Sequence, residues 1–126
     1  MSRKLKWVLL ANGTFSLLSG LALITLAESI ARLMGIANNE VLRYVGIGLI
    51  VFAGTVLYAA FKKPISKQQV WSIIVQDWAW VVASILVIVL QTWQLTATGY
   101  WMIGVVAIIV GDFAIFQMRY LKRGLN

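Results

Sequence analysis

Four apolar blocks, near Trp7–Ala27, Val41–Phe61, Val70–Gln91 and Gly99–Met118, divide the chain, and each is long enough to cross a lipid bilayer. A helix needs roughly 20 residues to traverse a hydrocarbon core about 30 Å thick. The blocks therefore predict an all-α fold, an integral membrane four-helix bundle forming a single transmembrane domain over 1–126. Composition points the same way: 61% of residues are hydrophobic and 12% charged, against roughly a quarter charged in soluble domains. The mean hydropathy of +0.88 could in principle come from one apolar segment on a polar domain. Its even spread over four blocks argues otherwise and leaves no stretch for a second domain.

The net charge of +7 does not indicate nucleic-acid binding, because the basic residues lie in short loops and at the ends and not on one face of a soluble fold. Their placement instead sets an orientation, since Lys and Arg flanking spans stay preferentially cytoplasmic. Arg3, Lys4, Lys6, Lys62, Lys63, Lys67, Arg119, Lys122 and Arg123 fall on one side of the four spans, and only Arg32 and Arg43 on the other, where Glu28 and Glu40 offset them. Nine against two places both termini in the cytoplasm. It also separates the chain from dual-topology exporters of similar size, in which the bias is small. The run after Met1-Ser-Arg-Lys-Leu-Lys is too long for a signal-peptide core and carries Asn12, Thr14, Ser16 and Ser19, so it reads as a retained first helix.

With no Cys and no His, thiol chemistry, disulfides, His-ligated haem and the usual zinc sites are excluded, and neither a metal nor another cofactor is expected. The polar residues inside the spans are then the remaining candidates for chemistry. A charge in a span costs roughly 2.5–3.5 kcal/mol on insertion scales, so it usually faces the bundle interior. Asp77 and Asp112 both lie in the inner half of the membrane, near the level of Asn12 and Gln76, which predicts a polar layer of these four side chains. Asp77, Ser84 and Gln91 recur at seven-residue spacing, and Asn12, Ser16 and Ser19 follow i, i+4, i+7, so both stripes are expected to face inward. Gly48 and Thr55 share a face of the second span, with Phe52 between them and Tyr58 nearby. A narrow pocket lined by Trp80, Phe52, Tyr58, Thr55, Ser84 and the acids is the expected ligand or proton site.

The competing interpretation is that Asn, Ser and Thr act as hydrogen-bonding glue between helices. Gly46, Gly48, Gly54, Gly104 and Gly111 suggest close helix approach. Trp7, Trp71, Trp93, Tyr100 and Trp101 lie near span boundaries, as an interfacial aromatic belt requires. Trp78 and Trp80 lie deeper.

Setting Trp7 over Trp71 aligns WVLLANGTFSLLSGLALITL with WSIIVQDWAWVVASILVIVL, and setting Gly46 over Gly104 aligns RYVGIGLIVFAGTVLY with WMIGVVAIIVGDFAIF. The alignment suggests tandem duplication of a two-helix unit, with a longer first outer loop. Such repeats place sites at their interface. In GIGLIVFAGTVLYAA and QDWAWVVASILVIVL the chain resembles small four-span proteins of bacterial inner membranes, loosely DoxX-like in size and layout. That resemblance implies a bacterial inner-membrane setting and a four-helix fold, and it transfers no activity and no residue.

Three functions follow from these features. The first is binding or transport of a small cationic or lipophilic molecule, or of protons, through the Asp77 and Asp112 layer. The second is a structural or accessory subunit that packs against a membrane partner or a second copy. The third is a lipid-modifying enzyme using two carboxyls as acid and base. Membrane lipids are partners in each. A binding protein needs both acids facing one cavity, an accessory subunit needs a polar or glycine face on the outside, and an enzyme needs a lateral opening to lipid.

Overall fold

The computed structural model describes residues 3–90 and 95–124, with the backbone alone at 123. Gln91, Trp93 and the Arg123 side chain lie outside the described residues. Among the described residues five helices follow in order: α1 (Arg3–Thr25), α2 (Ala27–Met34), α3 (Glu40–Phe61), α4 (Lys67–Leu90) and α5 (Ala97–Gly124). No strand occurs among the described residues. All but α2 are long and apolar enough to cross a membrane, so this is a small helical membrane protein. Its outer surface agrees, with Trp7, Val51, Val89, Trp101 and Ile108 all exposed. Water would penalise such a surface, whereas lipid tails would not.

The helices form two tight hairpins, α1 with α3 and α4 with α5, which pack together along α1 and α5, while α3 and α4 touch sparsely. The α1–α3 crossing is built on glycine. A Cβ on Gly20 would sit 2.7 Å from the Gly46 carbonyl oxygen, and one on Gly46 would sit 2.7 Å from that of Gly20. The two backbones therefore touch, as small residues at membrane helix crossings permit. Gly104 and Gly111 have only ordinary room for a Cβ, and Gly48 and Gly54 face open space. The close approach expected at the last two is absent, since nothing lies within 4 Å of a Cβ at either.

The segment expected to be a loop after the first span is partly helical. At Leu26 the chain leaves regular helix, although Leu26 N still donates to Ala22 O and Ile30 N to Leu26 O. The short α2 then presents three faces. Ala27, Ala31 and Met34 are buried, Leu26 and Leu33 are exposed apolar groups, and Glu28 and Arg32 are exposed charges. Such partition suits a helix lying at a membrane surface. It ends at Gly35, whose φ of 81° is left-handed and suits glycine at a helix C-terminus. Thr96, just before α5, ties this end down. Its backbone N donates to Met34 O at 2.9 Å, its hydroxyl donates to Leu33 O at 2.6 Å, and the same hydroxyl accepts from Gly99 N at 3.0 Å as a helix cap.

Two apolar clusters fill the interior. One, at the end carrying the basic residues, holds Leu5, Leu9, Val56, Ala59, Ile74 and Leu121 among its members. The other, at the opposite end, packs α2 residues against Leu42 and Leu95.

Candidate functional site

Between these two clusters, three buried polar side chains from three helices bond to one another. Asn12 of α1 and Gln117 of α5 are fully buried, and Asp77 of α4 is 2% exposed. Asn12 Nδ2 donates to Asp77 Oδ2 at 3.0 Å and to Gln117 Oε1 at 2.9 Å, while Gln117 Nε2 donates to Asp77 Oδ2 at 2.8 Å. Ser16 Oγ reaches Asn12 Oδ1 at 3.5 Å. Every pair in the triad is therefore bonded, and one carboxyl oxygen accepts two amide N–H groups. The helical register explains the seal beneath it. Leu9, Ile74 and Leu121 each lie one turn from a triad member toward the basic end, and all three are buried in the apolar cluster there.

Gln117 was not among the expected residues. Its signal lay in the stripe Val110, Ala114, Gln117 and Leu121, spaced i, i+4, i+7, i+11. Three apolar residues and one amide on an inward face identify a polar group that must find a partner.

The expected four-residue layer does not form. Asp112 is exposed, and the α5 wheel shows why: Val110, Ala114, Gln117 and Leu121 take the inward direction, leaving Asp112 on the outer face with Trp101, Val105, Ile108, Ile115 and Arg119. Gln76 is also exposed, donating through Nε2 to Ser72 O at 3.3 Å and Ser72 Oγ at 3.2 Å. Adjacent helical residues point about 100° apart, so Gln76 cannot share the inward direction of Asp77. Ser84 is buried as expected but donates to Trp80 O at 2.8 Å within its own helix. The Trp80 ring is half-buried, with its Nε1 buried and unbonded among the described residues.

Three expected residues do converge, in a different place. Thr55, Tyr58 and Gln76 line a groove of about 490 Å³ between α3 and α4, together with Val51, Gly54, Gln69, Ser72 and Ile73. Most of these side chains are exposed, so the groove opens sideways on the bundle and not into its centre. Thr55 Oγ1 donates to Phe52 O at 2.7 Å, and the lining contains no carboxylate. Neither acid faces this groove, so the expected union of acids and aromatic pocket is split into a sealed triad, a lateral groove and an outward Asp112.

The triad can hold helices in register: it supplies a hydrogen-bonded acceptor at the centre of the bundle and connects both hairpins. The groove offers hydroxyls and amides without an acid or base. Of the ion pairs among the described residues, the only one is Glu40 with Arg43, at the start of α3. No protein-family model, curated protein or solved structure matches the chain.

Proposed function

We propose that this protein is an accessory subunit of a membrane complex, docking through the outer face of α5 onto a partner span that carries a Lys or Arg. The observation that carries the reading is Asp112, an exposed acid in a helix long and apolar enough to cross a membrane. It lies seven residues before Arg119 and eleven after Trp101, about 10 Å and about 16 Å along the helix axis. A side chain as short as Asp cannot reach headgroup water over that distance. An ionised carboxylate facing hydrocarbon there costs roughly 2.5–3.5 kcal/mol, which a cationic partner at the same depth offsets. The chain's own cations are at the ends of its spans. In a symmetric dimer through α5, Asp112 would meet Asp112 and not a cation, so charge complementarity favours a different chain.

Binding or conduction of a cation through paired acids is the weaker reading, since Asp77 and Asp112 share no cavity and Leu5, Leu9 and Leu121 seal the triad from the basic end. With that end cytoplasmic, as the charge bias argues, the docking face lies in the inner half of the bilayer.

The test is isolation of the intact complex in mild detergent, followed by native gels and crosslinking from Ile108 and Ile115. Wild type should migrate as a complex whose crosslinked span contains Lys or Arg, and Asp112→Leu should reduce it to the mass of this chain. Replacing the partner's basic residue by Leu should do the same. A wild-type protein that runs alone, a homodimer, or a complex indifferent to Asp112→Leu would each overturn the proposal.

A further inference from the structure

The α3–α4 groove lies on a different helix pair from Asp112 and carries an independent conclusion. We infer that it is a binding site for an anionic diacyl phospholipid, with the headgroup at the basic end and the acyl chains running along α3 and α4.

Its position in the bundle is the first argument. Tyr58 lies three residues before the end of α3 and Gln69 two residues after the start of α4, while Val51 and Gln76 lie about two turns deeper. The groove therefore begins at headgroup level and extends into the acyl region. Its volume of about 490 Å³ is in the range of sites that hold small molecules and lipid fragments, roughly 300–1,000 Å³.

The chemistry of the lining changes with depth in the order a phospholipid requires. Gln69, Ser72, Thr55 and Tyr58 supply polar groups toward the mouth, and Val51, Gly54 and Ile73 supply apolar surface, with Gln76 the one polar side chain at the deep end, its Nε2 bonded back to Ser72. Gln69 Oε1 is buried and has no hydrogen-bond partner among the described residues. A buried acceptor left unbonded is costly, and rotation of the Gln69 side chain toward the mouth would let a headgroup hydroxyl supply the donor. The hydroxyls of Tyr58 and Ser72 can donate to ester carbonyls.

Charge at the mouth selects the headgroup. Lys62, Lys63 and Lys67, all exposed, lie in and beside the connection between α3 and α4. Lys6 reaches the same end, with its Nζ 5.2 Å from the Phe61 ring centroid. No acidic residue occurs in that connection or on the groove lining. Basic clusters beside a span attract anionic lipid, and a cationic ligand would meet only repulsion.

The experiment uses the purified full chain in nanodiscs of phosphatidylcholine with a minority of phosphatidylglycerol, and native mass spectrometry to count and identify retained lipid. Wild type should retain phosphatidylglycerol over phosphatidylcholine by at least about fivefold after correction for abundance. Gly54→Leu should abolish retention, because a Cβ there meets nothing within 4 Å, so the new side chain fills the groove without a backbone clash. Thr55→Leu, at an exposed position, is a second plug. Gly48→Leu, equally unhindered but outside the lining, should retain lipid as wild type does. The triple variant Lys62→Gln, Lys63→Gln, Lys67→Gln should keep the lipid and lose the preference. Undiminished retention in both plugged variants, equal retention of the two lipids by wild type, or an unchanged preference in the triple variant would overturn the inference.

Discussion

Asp77 and Asp112 are the same residue type in two spanning-length helices, yet one is enclosed and the other exposed. Asp77 is enclosed by α1, α4 and α5 and accepts from two amides, so its shape and acceptor capacity matter more than its charge. Asp77→Asn can keep a carbonyl oxygen where Oδ2 stands and should change stability by less than about 1 kcal/mol, in line with the modest worth of interhelical hydrogen bonds in membranes. Asn12→Leu and Gln117→Leu each leave buried polar partners unbonded and should cost about 1–3 kcal/mol. Equilibrium unfolding in mixed micelles, followed by helical circular dichroism, measures both. If Asp77→Asn proved as damaging as Asn12→Leu, the triad would need a carboxylate as such and a purely structural account of it would fail. No comparable argument exists for Asp112, which has no partner within the chain among the described residues; its effect should therefore appear in assembly and not in the unfolding of the isolated protein.

At the scale of elements, the α1–α3 hairpin is held by backbone contact and the α3–α4 pair is left open. Gly46→Ala should destabilise the fold by about 1–3 kcal/mol, because its methyl group would meet a carbonyl oxygen and not a side chain that can turn aside. Thermal unfolding in detergent checks this, and a melting temperature equal to that of wild type would contradict the crossing. Helix α2 shows how a short helix survives where isolated segments of its length are marginal. Its C-terminus is fastened by Thr96, and Gly99 allows close approach, since a Cβ there would lie 2.8 Å from Met34 O. In the sequence this segment appears as loop, because eight residues carry too few turns for a clear period. The hydrogen bonds that stabilise it come from a residue 63 positions away from Leu33.

Across the whole molecule, charge is distributed by end. Most of the described cations gather where the termini and the α3–α4 connection lie, whereas Arg32 and Arg43 lie at the other end beside the acids Glu28 and Glu40. The chain has no cysteine, so single introduced thiols report topology without background. With the basic end cytoplasmic, a membrane-impermeant maleimide should label Asn38→Cys in intact cells, and label Ser66→Cys only after permeabilisation. The reverse pattern would invert the orientation and move the phospholipid groove to the outer leaflet.

The amino-acid sequence alone determined the helical class, the four apolar stretches and the separation of charge, because each of these depends on local hydrophobicity summed along the chain. It also identified Asn12 and Ser16 as inward, since their stripe shares one helix face. Tertiary structure alone decided which faces meet. The inward face of α5 is the one packed against α4 and α1, and on any of these helices a one-residue difference turns a side chain by about 100°. That rotation brought Gln117 to Asp77, turned Asp112 and Gln76 outward, and left Thr55, Tyr58 and Gln76 around a groove that no single helix contains.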